Sequence, residues 1–546
     1  MKPSHTRILA VVAALLLAPG ILPAQDNNPP NPVIETLLSQ KGLTIEGTPI
    51  LAEEIIYETY KQNGFRPIWT REKLEELMQL IREAPAHGLD PADYEPDKLF
   101  TLFTQLLQNP DDASRARVEI LLTESLLRYG AHRRYGKVEA RKIDPDINFR
   151  RGTFGNRPVS QNINDALSSS SLAAFIDMAA PTGPYYHHMQ DWLARYREIQ
   201  ERGGYPTVPP GPTLREGDSS PRVEAIRARL RASGDLQSAG NSQEYDRELK
   251  NAVIAFQERH LLGADGIVGK QSIEAMNVPV ERRIDQIRLT LERMRWVLQE
   301  RADTVVVVNI AQYRTNFFKD GELAWSTRAM VGKDYRKTPV FRGDIAYMEF
   351  NPTWTIPPGI LRNDTLPAIK KNPNYLAEKN IEVIDNKGRV IDPSTVNWSQ
   401  YSRSVPYTLR QTPGPHNALG TVKFIFPNKH FVFLHDTPHR ELFDRPERAF
   451  SSGCIRVEDP LKLAELLLDD PAKHNRSSLQ AVIDSRKTQR IHLKPKIPVV
   501  IVYLTAGLGE EGEIVFMHDV YNRDQRVLDA LNGPVHIRLP GDHAAP

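Results

Sequence analysis

The period of the apolar positions changes along the 546-residue chain, and each change marks a boundary between domains. From Ile34 to about Ile199 apolar residues return every three or four positions, as in Val118, Ile120, Leu121, Leu122, Leu126 and Leu127, which predicts a mainly helical domain over 34–202. Within it, Asp90 before Pro91 reads as an N-cap with proline at the first helical position. The Gly- and Pro-rich run 203–213 suits neither helix nor strand and is expected as a linker. A small domain follows over 214–279: Val223, Ile226 and Leu230 share one helical face, Ala252, Val253 and Phe256 another, and the Gly263–Gly269 loop leads into a third short helix.

A connecting helix is expected over 280–303, with Ile284, Ile287, Leu291, Met294 and Leu298 on the side that docks two domains together. Beyond it the period falls to two. Residues 304–310 read as a buried strand, and Lys319-Asp320-Gly321-Glu322 as a hairpin turn before a strand over 323–331. Further strands are expected at 344–350, 422–426, 431–435, 498–503 and 513–517, giving a mostly-β domain over 304–525 and a C-terminal tail over 526–546. Between about 355 and 412 the strand pattern breaks into prolines, a short helix and polar loops; so long an insertion in a compact β domain is expected to be functional, here a mobile cap over an active site. The fold class is therefore multidomain α+β.

Lys2 and Arg7, the apolar run Ile8–Ala18 and the Leu22-Pro23-Ala24 site predict a signal peptide over 1–24 and export, with a disordered leader over 25–33. After cleavage roughly 520 residues remain, enough for about three domains. The 70 Lys+Arg and 68 Asp+Glu leave a net charge of +2, so no global field argues for nucleic acid. The basic stretch Arg133, Arg134 and Lys137, continued by Arg141 and Lys142, reads as a solvated face.

Export sharpens one residue. Cys454 is the only cysteine, and structural cysteines in exported proteins usually come in pairs. Taken alone it would more often be a small buried hydrophobe, but it stands beside Gly453 and nineteen positions after His435, at the end of an apolar run. The thiolate is the nucleophilic form, and a histidine that takes its proton is the usual activator. His416, His430 and His439 lie nearby as well, so position alone does not choose the base. The Ser452-Gly453 turn is placed to aim the N–H groups of Gly453 and Cys454 at an oxyanion. Arg456, two residues on, shares a side with Cys454 if the segment is extended and suits a substrate carboxylate, while Asp459-Pro460 starts a helix over 461–468.

Two segments carry a resemblance. Ala252 to Gln257 with Asp265-Gly266-Ile267-Val268-Gly269 resembles the peptidoglycan-binding type 1 domain, a three-helix module. His435 with Ser451-Ser452-Gly453-Cys454-Ile455-Arg456, together with 331–339, 351–354 and 414–420, resembles the L,D-transpeptidases with a YkuD-like catalytic domain, in the large periplasmic form found in Gram-negative bacteria. That resemblance implies Cys454 as acyl-forming nucleophile, His435 as base and the Gly453 and Cys454 N–H groups as oxyanion hole. Ser452, where many members have histidine, is left a supporting hydrogen bond, and the substrate-binding candidates are Arg456, Asn417, Phe433 and Trp354. The group orienting His435 stays open between a backbone carbonyl and Asp436.

The implied reaction forms 3-3 cross-links: the thiol attacks the carbonyl between diaminopimelate and the terminal D-alanine of a tetrapeptide stem, and an amine resolves the acyl-enzyme. Carbapenems are expected to acylate the same thiol. Water or a protein lysine as acceptor, giving carboxypeptidase, endopeptidase or protein-attachment activity, and a non-catalytic wall-binding scaffold are the alternatives. A papain-like protease is disfavoured because histidine precedes cysteine here. The expected partners are stem peptides, glycan strands, other cell-wall synthases and carboxypeptidases, for a periplasmic monomer. No metal-ligand spacing or phosphate-binding glycine loop occurs, so no metal or cofactor is expected.

Overall fold

The computed structural model describes residues 28–150, 158–180, 183–300 and 302–537. The expected signal peptide lies outside the described residues, as do positions 538–546. Of the expected leader, residues 28–33 are packed rather than disordered. Asn28 donates to the Pro67 carbonyl at 3.3 Å, and Asn31 caps the helix Pro32–Leu38 by accepting from the Val33 N–H at 3.0 Å.

The N-terminal domain is helical and built around Asp112–Tyr135, a helix buried on nearly every face. Burial all round obliges its polar residues to find partners. Glu119 accepts from the N–H of Ile68 (2.8 Å) and the Tyr60 hydroxyl (3.0 Å). The same constraint corrects the reading of the basic stretch as a solvated face at two positions, since Arg133 and Lys137 are 4% and 5% exposed, whereas Arg141 and Lys142 are exposed. Arg133 pairs with Asp177 at 2.6 Å and Lys137 with Asp93 at 2.7 Å.

The small domain has the three expected helices, Pro221–Ser233, Arg247–Arg259 and Lys270–Met276, around a core that includes Val223, Ile226, Leu230, Val253 and Phe256. Its sequence motif is structural. The Gln257 amide donates to Asp265 Oδ1 and the Ile267 carbonyl, both at 3.0 Å, and accepts from the Gly266 N–H at 2.9 Å. The glycine there has a φ of +69°. The linker before it is tied down, since Val208 and Asn277 exchange hydrogen bonds of 2.8 and 2.9 Å.

Val280–Val297 is the connecting helix, and it joins more than two parts. Its apolar face packs with Tyr186, Met189 and Leu193 of the helix Pro184–Glu201 and with Ala506, Ile514 and Phe516 of a hairpin after the main sheet. Its other side holds the N-terminal domain. Glu292, fully buried, accepts from the N–H groups of Lys137 (3.2 Å) and Val138 (2.8 Å) and pairs with Arg295 at 2.6 Å.

The main sheet of the mostly-β domain has nine strands, labelled in chain order: β1 Val305–Asn309, β2 Arg314–Lys319, β3 Glu322–Gly332, β4 Phe341–Phe350, β5 Val422–Ile425, β6 Leu434–His435, β7 Ala449–Ser451, β8 Ile455–Val457 and β9 Gln489–Val502. Their order is β7-β3-β8-β6-β5-β4-β9-β1-β2, and β2 also pairs with β3, so the sheet curls back on itself. Alternate residues such as Val306, Val308, Met348, Phe424, Leu434 and Ile455 are fully buried and form the core. The β2–β3 turn has the left-handed residues that its sequence predicts, Asp320 at φ +54° and Gly321 at φ +83°. The strand expected at 431–435 shortens to two residues because Phe431 takes φ +54° and stands 85% exposed.

The insertion is a subdomain with its own sheet, in which 354–355, 408–411, 381–384 and 390–391 pair in that order. It also has its own apolar core, including Ile356, Leu361, Ile369, Leu376, Val383 and Leu409. The expected C-terminal tail is partly folded: the helix Asp524–Leu531 buries Val527, Leu528 and Leu531, and Asp524 pairs with Arg293 of the connecting helix at 2.6 Å. No helix among the described residues is long and apolar enough to cross a membrane.

Candidate active site

Strands β6 and β8 run parallel, with Leu434 opposite Ile455 and His435 opposite Arg456. Leu434 and Ile455 point into the core, so His435 and Arg456 share the other face of the sheet, and the period of two brings Phe433 and Cys454 to that face. On the far side of His435 its antiparallel partner is Lys423 of β5. Lys423 Nζ lies 4.9 Å from the centre of the Phe433 ring and 3.8 Å from Glu349, which is itself 2.7 Å from Arg490. The thiol and imidazole thus stand among two cations and an aromatic face.

The turn that leads into Cys454 is braced from below. Gly453 has φ +117°, a conformation that favours glycine. Its carbonyl accepts from Thr338 Oγ1 at 2.9 Å, and Thr338 Oγ1 accepts in turn from the Gly332 N–H at 2.9 Å. The Tyr521 hydroxyl donates to the Gly332 carbonyl at 2.5 Å, so a residue from beyond the sheet buttresses the turn. Ser451 Oγ donates to the Cys454 carbonyl at 2.5 Å and accepts from the Gly453 N–H at 3.1 Å. That last bond corrects the expected oxyanion hole: the Gly453 N–H is already engaged, whereas the Cys454 N–H has no acceptor among the described residues.

The orientation of His435 is settled by a backbone group. Its Nδ1–H donates to the Asp436 carbonyl at 2.5 Å, and the Leu419 carbonyl also accepts from the ring. The Asp436 carboxylate is engaged elsewhere, accepting from the Thr421 N–H at 2.9 Å and from Arg440 at 2.9 Å. Burial, then Arg456, pulls His435 down to about 3, against the Asp436 carbonyl, which supports the charged form. Burial pushes the half-buried Cys454 thiol up to about 11, with the Phe433 backbone N–H, then Arg456 and Lys423, opposing. The same two cations therefore act on both groups. Cys454 Sγ lies 3.8 Å from the Phe431 carbonyl, and the two displacements favour the neutral thiol and the neutral imidazole.

Three family profiles match the chain: a "Scaffold domain" over residues 54–193, a "Putative peptidoglycan binding domain" over 219–276 and an "L,D-transpeptidase catalytic domain" of YkuD type over 303–501. The chain carries a YkuD L,D-transpeptidase catalytic domain. A Haemophilus influenzae protein named "Putative L,D-transpeptidase" is 38% identical over 222 residues, which span 41% of this chain and 45% of that protein. Among solved structures, an L,D-transpeptidase from Xylanimonas cellulosilytica is 15% identical, covering 54% of this chain and all of that one, at a TM-score of 0.16. One from Stackebrandtia nassauensis is 12% identical, covering 54% and 96%, at a TM-score of 0.21. Superpositions this low carry no argument beyond the sequence matches.

Within the L,D-transpeptidase domain the candidate residues separate. Cys454, His435, Arg456 and Phe433 share one sheet face, and the rings of Phe433 and His435 meet edge-on at 5.7 Å. Arg456 reaches Met330 Sδ at 3.9 Å, and its buried Nε has no partner among the described residues. Ser452 is exposed and accepts from Arg336 at 2.8 Å, and the same Arg336 nitrogen reaches Asp364 of the cap at 2.8 Å, so the cap touches the nucleophile turn.

Asn417 is 1% exposed and is no substrate ligand. Its amide donates to the carbonyls of Pro352 (3.0 Å) and Thr412 (2.9 Å), and its Oδ1 accepts from the Leu419 N–H at 2.8 Å. It clamps together the two chain segments at the neck of the cap. Trp354 likewise belongs to the cap, packed against its apolar core. Lys423 and Arg336 were not legible as site residues: lysine on a β-strand and arginine in a loop are ordinary surface residues until register and tertiary contact place them. Among the described residues no group of three or more His, Cys, Asp or Glu is arranged to hold a metal ion.

Proposed function

We propose that the chain is an exported peptidoglycan L,D-transpeptidase of the periplasm that forms 3-3 cross-links through a Cys454 acyl-enzyme. The observation that carries this reading is the shared face of β6 and β8, where His435, its Nδ1–H held by the Asp436 carbonyl, stands with Cys454. In the first step the Cys454 sulfur bonds to the carbonyl carbon between diaminopimelate and D-alanine, and its proton passes to His435. The Cys454 N–H donates to the oxyanion. Collapse breaks the carbon–nitrogen bond, and the proton on His435 goes to the leaving D-alanine amine. In the second step His435 takes a proton from the diaminopimelate side-chain amine of a neighbouring stem as that amine displaces sulfur, which restores the thiol.

Arg456 and Lys423 flank the pair and suit the carboxylates of the stem peptide. A cap that keeps water from the thioester favours the amine over hydrolysis. The test is incubation of the full chain with disaccharide-tetrapeptide and separation of the products by mass. Cross-linked dimers with release of D-alanine are expected, and Cys454→Ala is expected to yield none. Trimmed tripeptide monomers alone would replace the amine by water as acceptor, and identical products from Cys454→Ala would remove the mechanism.

A further inference from the structure

A cleft of about 1020 Å³ runs between the small three-helix domain and the L,D-transpeptidase domain. Gln271 and Glu274 of the helix Lys270–Met276 line one wall, and Arg445, Glu447 and Phe450 line the other. Phe516 and Arg283 line it between them, the guanidinium 4.7 Å from the ring centre and held by Gln286 Oε1 at 2.8 Å and the Ala275 carbonyl at 3.2 Å. These contacts make that part of the lining rigid. The exposed side chains carry both signs of charge among amide and aromatic groups, a lining suited to a neutral, hydroxyl-rich chain rather than to a polyanion.

Both walls point to the same occupant. Gln271 and Glu274 lie inside the stretch that matches a peptidoglycan-binding domain. Phe450 belongs to β7, the edge strand that runs into the nucleophile turn four residues before Cys454. Four residues reach at most about 14 Å, and the part of a tetrapeptide stem between its sugar and its scissile carbonyl spans about 10 Å. We propose that this cleft seats a glycan strand shared by the two domains, so that a stem peptide hanging from the strand reaches Cys454. The proposal rests on the reading of the domain as acting on stem peptides.

The test uses the full chain carrying Cys454→Ala, which binds without turnover, and purified sacculi as the probe. Gln271→Ala with Glu274→Ala alters one wall and Glu447→Ala the other, all at exposed positions. Each is expected to weaken co-sedimentation with sacculi by about tenfold in Kd. With Cys454 restored, the same changes are expected to lower the ratio of kcat/KM on glycan-linked tetrapeptide to that on sugarless tetrapeptide by a similar factor. Unchanged sedimentation by both walls' variants, or loss only with the small-domain pair, overturns the shared cleft, as does an equal fall on the two substrates. An intact chain that cleaves neither substrate overturns the proposed reaction instead, while the sedimentation result still decides the cleft.

Discussion

Alkylation and acylation of Cys454 should follow different pH laws. The thiol is pushed up to about 11 and the imidazole down to about 3, so the neutral pair is strongly favoured over the thiolate–imidazolium pair. A reagent that meets the thiolate without help from a base, such as iodoacetamide, should therefore react about tenfold faster for each pH unit from 6 to 10. On the proposed mechanism, acylation by a carbapenem would use His435 as base, which is neutral above about 3, against a thiol that stays protonated below about 11. Its rate should be flat from pH 5 to 9. His435→Ala should abolish acylation while leaving the alkylation profile in place, because the Phe433 N–H, Arg456 and Lys423 rather than His435 oppose the burial that raises the thiol. Both rates are read by intact mass after timed quenching. An alkylation plateau between pH 5 and 8 would show a preformed ion pair and refute the neutral resting state.

The remaining expectations concern the frame that holds the pair. Asn417→Ala strands three buried groups, the Pro352 and Thr412 carbonyls and the Leu419 N–H, at about 3 kcal/mol in all, and should lower the catalytic-domain transition by about 6–12 °C in calorimetry. Gly453→Ala has room, since an added Cβ meets nothing nearer than the Lys337 carbonyl at 3.7 Å, so the cost is backbone strain of about 1–3 kcal/mol at φ +117°. It should slow acylation at least about tenfold, and unchanged acylation would show that the turn tolerates another conformation. His435 lies below its ordinary value of 6.5 when folded, so the unfolded chain takes up its proton first, and stability is lost as pH falls from about 6.5 towards 3. By pH 4 this amounts to about 3 kcal/mol, and chemical denaturation should show His435→Gln losing less stability than wild type over that range.

Most of the local architecture was legible because its signals lie within a few residues. Helical spacing marked the three helices of the small domain, Asp459 caps the helix Pro460–Leu468 as its position before proline predicts, and Asp320-Gly321 makes the hairpin turn. Cys454 and His435, the proposed nucleophile and base, were legible as candidates too, from a lone cysteine beside glycine and the pattern around it. The strand at 431–435 was overread, because an apolar run does not reveal that Phe431 turns out of the sheet.

By itself, then, the sequence determined the order of domains, most secondary elements and the candidacy of Cys454 and His435. Tertiary structure decided how those residues are used. Asn417 became the cap's clamp, and the Gly453 N–H went to Ser451 instead of standing open. His435 was oriented by the carbonyl of Asp436 and not its carboxylate, and Lys423 came beside it only through the register of β5 with β6. Arg133 and Lys137, solvated by every local rule, are buried because Asp177 and Asp93 meet them from elsewhere in the chain. The physical reason is the same in each case: conformational preference depends on near neighbours, whereas a hydrogen bond, an ion pair or a displaced pKa depends on which distant groups the packed chain brings within a few ångströms.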